Sequence, residues 1–193
     1  LTAAQLSAVM SAVSDNFDLS HLREYTVEAG RPDTVTEDKL KAIKSLGATR
    51  ISINPQTMND RVLERIGRRH TSEDTVKAFM LARKCGFDNI NTDLIAGLPG
   101  DDYVSFKNTL SRVLKLEPES VTVHSLAMKR ASTLNINGEF PEAQAGKTAD
   151  MMVEYAKKTL TEAGIFPYYM YRQSKTVGNL ENVGYSKRGS ECL

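Results

Sequence analysis

Short apolar runs rich in β-branched residues alternate with helix-length amphipathic stretches along almost the whole chain, and no other feature constrains its fold so tightly. A crossover long enough to hold a helix places the next strand parallel to the last. The alternation therefore predicts an α/β fold built on a parallel sheet. Helix is predicted over residues 2–16, where Leu6, Val9, Met10 and Val13 recur at helical intervals behind a Thr2 N-cap. A strand over 24–29 follows, stopped by Gly30-Arg31-Pro32, and then a helix over 36–46 with Gly47 in the C-cap place. The unit repeats as strand 50–54 with helices 59–66 and 72–85, and as strand 89–95 with helix 103–116. Strand 120–126 comes next. The turn formers between Asn135 and Gly146 predict an insertion, followed by helix 147–163 and a last extended segment, 168–172. Five strands with helical crossovers predict a (β/α) barrel of the TIM type, or part of one, with the missing strands lying before Leu1.

Composition removes several classes of function. With 25 Lys and Arg against 24 Asp and Glu, the net charge of +1 offers no basic footprint for a nucleic acid. No apolar run approaches the roughly 20 residues that span a bilayer, and the first residues lack the basic flank of a signal peptide. The expectation is a cytoplasmic protein without a membrane partner. Cys85 and Cys192 are far apart and outside any CxxC spacing, so neither a disulfide framework nor a self-contained zinc or cluster site is expected. Cys85 reads as a buried structural thiol. His21, His70 and His124 share no ligand spacing, so no metal site made of this chain's own residues is predicted. The chain starts without Met and stops at Glu191-Cys192-Leu193, and it reads as an excised fragment.

In parallel α/β folds ligands collect where strands end, because loops there expose backbone donors and strand-end side chains converge. Those ends carry Glu28, Asn54-Pro55-Gln56, Asp93 with Gly97-Leu98-Pro99-Gly100, and His124-Ser125 with Ala127. Asp93 lies in an apolar run, where a carboxylate needs good hydrogen bonds. It suits the two hydroxyls of a ribose, with Gln56 able to share the same ligand; the alternative is an Asp that only holds its own loop. Arg68 and Arg69 suit a carboxylate in fork geometry or, equally, a solvated helix end. Phe166, Tyr168, Tyr169 and Tyr171 read as core and rim before they read as a stacking platform.

The stretches Thr26-Val-Glu28-Ala-Gly30-Arg-Pro32-Asp33, Arg50-Ile-Ser-Ile-Asn54-Pro-Gln56, Gly67-Arg68-Arg69-His70 and Asn91-Thr-Asp93-Leu-Ile95-Ala-Gly97-Leu-Pro99-Gly100 resemble, in order and spacing, the oxygen-independent coproporphyrinogen III oxidase family. The resemblance implies a partial barrel of the radical S-adenosylmethionine superfamily, with residues 1–165 as its C-terminal part and 166–193 as the start of a truncated C-terminal region. It implies a [4Fe-4S] cluster on a CxxxCxxC motif, with S-adenosylmethionine as the source of a 5′-deoxyadenosyl radical that abstracts hydrogen from propionate side chains and leads to their oxidative decarboxylation. It also implies a porphyrinogen-like small-molecule substrate and an electron donor such as flavodoxin or ferredoxin. By the same resemblance Glu28 meets the methionyl ammonium, Arg68 its carboxylate, Gln56 and Asp93 the ribose, and Ile95, Ala127 and the Gly97–Gly100 turn line the adenine. No catalytic residue is assigned.

Two departures from the family pattern stand out. The cluster cysteines are not among these residues, so a fragment of this kind is expected to be inactive. Where haem-trafficking relatives carry HNxxYW, this chain has Glu181-Asn182-Val183-Gly184-Tyr185-Ser186, which removes the histidine that would ligate haem. That stretch, with Tyr169-Met-Tyr171-Arg172-Gln173 before it, looks like the branch of oxidase-like proteins found in anaerobes.

Overall fold

The computed structural model describes residues 1–127 and 142–192. Six strands form one sheet in the order β1-β2-β3-β4-β6-β5, where β1 is Thr26–Gly30, β2 Arg50–Ile53, β3 Ile90–Ala96, β4 Ser120–Ser125, β5 Phe166–Tyr171 and β6 Asn182–Ser186. Strands β1 to β4 pair in parallel. The helices are α1 (Ala3–Asn16), α2 (Glu37–Ser45), α3 (Asp60–Arg65), α4 (Ser72–Lys84), α5 (Tyr103–Leu114) and α6 (Glu142–Glu162). The α/β class with a parallel-dominated sheet is as the alternation predicts.

Helices α1 to α5 begin where their cap residues dictate. Thr2 and Thr71 close capping boxes at the starts of α1 and α4, and Asn59 and Asp102 accept backbone N–H bonds at the starts of α3 and α5. The helices cover one face of the sheet. Met10, Leu40, Ile43, Phe79 and Ala82 pack on Ile51, Ile53 and Ile90, while Phe106, Leu110, Met152, Ala156 and Leu160 pack on Leu94, Val121, Val123 and Tyr185.

Two differences from the sequence reading matter. Strand β6 was not anticipated: it enters antiparallel between β4 and β5. Being antiparallel to both neighbours, it leaves β5 parallel to β1–β4, so the C-terminal end of β5 lies at the same edge as theirs. Nor is the whole of 135–146 an insertion. Residues 135–141 lie outside the described residues, but α6 already begins at Glu142, because good helix formers outweigh one glycine. Gly146 reads as a turn former; in the helix it permits close approach, since a Cβ there would lie 3.2 Å from Gly178 Cα.

Tyr185, in the core between β6 and α6, is 1% exposed. Burial, helped by the nearby Glu154 carboxylate, pushes its phenol from 10.0 up to about 12. The neutral phenol is favoured in the folded state, so its contribution is complete below pH 10 and is lost as pH rises through about 12, at about 1.4 kcal/mol per pH unit. Tyr185→Phe is expected to leave stability at pH 7 within about 1.5 kcal/mol and to flatten that alkaline decline in urea midpoints measured from pH 9 to 12. An unchanged slope would assign the alkaline loss to other groups.

Candidate functional site

The face of the sheet away from the helices is polar. Alternate residues of a strand share a face, and here Arg50 and Ser52 of β2, with Asn54 after it, meet Asn91 and Asp93 of β3 and Ser120, Thr122 and His124 of β4. Strands buried on both faces read as continuous apolar runs; these alternate instead, and the alternation marks a face built for polar contacts.

A continuous set of hydrogen bonds crosses that face. The Asn54 amide donates to Glu28 Oε2 at 3.2 Å and accepts from Ser52 Oγ at 2.8 Å. Asn91 Nδ2 donates to Ser52 Oγ at 3.0 Å and to Asp93 Oδ1 at 2.8 Å, while Asn91 Oδ1 accepts from Thr122 at 3.3 Å. His124 Nε2 lies 3.6 Å from Asp93 Oδ2, and the Tyr171 hydroxyl lies 3.4 Å from His124 Nδ1. A proton on Nε2 faces the carboxylate and leaves Nδ1 to accept from the phenol. The Asp93 side chain is 19% exposed, so the carboxylate is not closed off by Asn91 on Oδ1 and His124 beside Oδ2.

Gln56 reaches Asp93 through the backbone. Its N–H donates to Asp93 O at 3.0 Å and its carbonyl accepts from Ile95 N at 2.9 Å, with Gln56 held at φ 67°. Few side chains favour that region, and the buried His70 helps to hold it: His70 Nε2 lies 3.2 Å from the Pro55 carbonyl. A carbonyl only accepts, so Nε2 carries the proton, and buried Nδ1 has no partner among the described residues. His70 thereby ties the loop bearing Gln56 to the one bearing Arg68. The Arg68 backbone closes α3 by donating to Leu63 O at 2.9 Å, and its half-buried side chain makes no hydrogen bond among the described residues.

Glu28, Gln56, Asp93 and Ile95 thus belong to one connected strip, and Arg68 stands two residues before His70 in the loop that His70 ties to Pro55. Ala127 sits just past β4, bridged to Thr176, while Leu126 N donates to Ala96 O at 3.0 Å beside the half-buried Ile95. Sequence reasoning missed Asn54, Asn91 and Thr122 as members of this network. The signal available was polar residues at every second position of strands otherwise expected to be apolar.

The radical SAM superfamily family model matches residues 13–113. This chain belongs to the radical SAM superfamily. It is 44% identical, over its whole length, to the oxygen-independent coproporphyrinogen-III oxidase-like protein HemZ of Bacillus subtilis, of which it covers 39%. To the heme chaperone HemW of the same organism it is 40% identical over 57% of this chain and 29% of that protein. The coproporphyrinogen III oxidase HemN of Escherichia coli shares the fold with a TM-score of 0.79 over 98% of this chain and 41% of that one, at 24% identity. This radical SAM chain therefore spans about two-fifths of the first relative named.

The family implies S-adenosylmethionine and a [4Fe-4S] cluster, and the residues fit the two differently. Half-buried Asp93 keeps its carboxylate partly exposed, Glu28 is an exposed carboxylate with one amide bond, and Arg68 is a guanidinium without a side-chain partner; these suit a diol, an ammonium and a carboxylate. Neither cysteine fits the cluster. Cys85 caps the C-terminus of α4, half-buried rather than fully buried, and Cys192 donates to Glu24 at 3.1 Å. Cys85 lies just before β3, and Cys192 lies beside Glu24 with its backbone at the Tyr168 phenol. Among the described residues no group of side chains could hold a metal ion, and no helix is long and apolar enough to cross a membrane.

Proposed function

We propose that this chain is the S-adenosylmethionine-binding part of a radical SAM oxidoreductase that decarboxylates the propionates of a coproporphyrinogen III-like substrate, taking electrons from a donor such as flavodoxin or ferredoxin. The observation that carries this reading is the hydrogen-bonded strip that links Glu28, through Asn54, Ser52 and Asn91, to Asp93, with the Gln56 backbone on Asp93 and Ile95, on a sheet whose open face is polar. Glu28 holds the methionyl ammonium and Arg68 the carboxylate. Asp93 accepts from both ribose hydroxyls while Gln56 donates to one of them, and Ile95 and Ala127 flank the adenine. When bound, the nucleotide supplies the hydrogen-abstracting chemistry; the residues here bind it, orient it and shield one side from water. Oxidase-type chemistry is favoured over haem transfer by Glu181, which pairs with Arg172 where a haem-ligating histidine would stand.

The test joins this chain to a three-cysteine cluster segment, reconstitutes the protein without oxygen and follows coproporphyrinogen III together with S-adenosylmethionine. Conversion that is lost on Arg68→Ala supports the oxidase reading. Nucleotide cleavage without conversion would remove coproporphyrinogen III as the substrate and leave the radical chemistry standing.

A further inference from the structure

Three tyrosines of β5 stand in a row on the polar face, which ordinary strand alternation would not permit. The register between β5 and β6 shifts between Pro167 and Tyr169, and such a bulge turns two successive side chains to one side. Tyr168 and Tyr169 therefore both face Gly184, whose absent side chain makes their place. A Cβ at Gly184 would overlap the Tyr169 ring and lie 3.1 Å from Tyr168 Cε1. Tyr171, two residues on, continues the row: its ring centroid is 6.1 Å from that of Tyr169 and the planes differ by 2°. Tyr168 meets Tyr169 edge to face at 4.9 Å.

This row is not core. Tyr169 and Tyr171 are 41% and 42% exposed, so their rings are open to a ligand. Nor is it remote from the nucleotide strip. Tyr169 is paired with Gly184, which is paired with Thr122, the partner of Asp93, and Tyr171 reaches Asp93 through His124. Because β5 runs parallel to β4, the row ends at the edge where Asp93 and Gln56 stand.

We propose that Tyr168, Tyr169 and Tyr171 form the substrate subsite beside the nucleotide, receiving a carboxylate-bearing pyrrole ring against the Tyr169 and Tyr171 faces, with the phenol of Tyr171 turning from His124 Nδ1 to donate to its acid group. The assignment rests on the proposed function for the class of ring, and on the bulge and Gly184 for the site. Flat or near-flat rings gain from offset stacking on tyrosine, and phenols donate to carboxylates.

The chain has no tryptophan and seven tyrosines, three of them in this row, so the part of its emission lost on Tyr169→Phe and Tyr171→Leu reports on the row. Titration with coproporphyrin III, the stable oxidised relative of the expected substrate, should quench that emission saturably, and dialysis with S-adenosylmethionine should run alongside. Tyr169→Ala and Tyr171→Ala are each expected to weaken porphyrin binding by about tenfold, with nucleotide binding unchanged. Tyr169→Phe keeps the ring and should stay within about twofold of the unaltered chain. Should an alanine variant fail to fold by circular dichroism, Tyr171→Leu, on a half-exposed position, takes its place. Porphyrin binding indifferent to every tyrosine variant, or no porphyrin binding by a chain that does bind the nucleotide, would overturn the subsite. Porphyrin binding through the tyrosines without nucleotide binding would keep it and sink the nucleotide reading instead.

Discussion

Exchange of Asp93 for alanine is expected to weaken S-adenosylmethionine binding by more than about a hundredfold. A charged acceptor that holds two hydroxyls contributes about 1.5–3 kcal/mol for each bond, and about 1.4 kcal/mol is a factor of ten. The loss should exceed that of Gln56→Ala, because an amide bonds less strongly than a carboxylate. Asp93→Asn retains the shape and an acceptor oxygen, so it should fall between the unaltered chain and alanine. Equilibrium dialysis with labelled nucleotide separates these cases. Equal affinity in all of them would mean that Asp93 serves only Asn91 and His124 across the sheet, the loop-holding alternative that its position in the sequence leaves open.

Phe106→Ala is expected to be the most costly single change in the core between α5, α6 and the sheet, at about 3–5 kcal/mol. Its ring is 1% exposed and packs with Leu94, Leu110, Val121 and Met152, and a close-packed interior does not collapse to fill the cavity. At about 2–4 °C per kcal/mol for a domain of this size, the melting temperature should fall by about 6–20 °C. The same change should leave the strand-end network in place, since Phe106 lies on the other face. A fall of less than about 3 °C by calorimetry would show that α5 repacks onto β3 and β4.

Much of the fold is legible because its signals are local. The apolar intervals of α1, the caps Thr2 and Thr36, and the glycines after α2 and α4 each act within one turn of helix, so a sequence window contains the whole cause. Strand β6 lacks such a signal. Asn182-Val-Gly-Tyr-Ser is short and holds a glycine, and what makes it a strand is hydrogen bonding to β4 on one side and β5 on the other. Its two partners lie at very different separations along the chain, and no local window contains both.

The candidate site divides along the same line. The resemblance of four motifs in order singles out Glu28, Gln56, Arg68 and Asp93, because each motif is a short local run of residues, although Asp93 lies in the middle of β3 rather than at its end. The Asn54, Asn91 and Thr122 links are invisible until registers are known, since Ser52 meets Asn91 and Asp93 meets Thr122 only through pairing. His70 is the clearest case: its sequence spacing says only that it shares no ligand set with His21 and His124, yet it is 2% exposed and bound to the Pro55 carbonyl.

By itself the sequence determined the class of fold, the parallel run of strands and the chemistry offered at their ends, because propensity, capping and residue type act over a few neighbours. Only the tertiary structure decided that β6 enters backwards between β4 and β5, that a bulge and Gly184 turn three tyrosines onto the polar face, and that His70 joins two loops. Those outcomes depend on strand register and close approach between distant segments, and such contacts exist only after the chain has closed on itself.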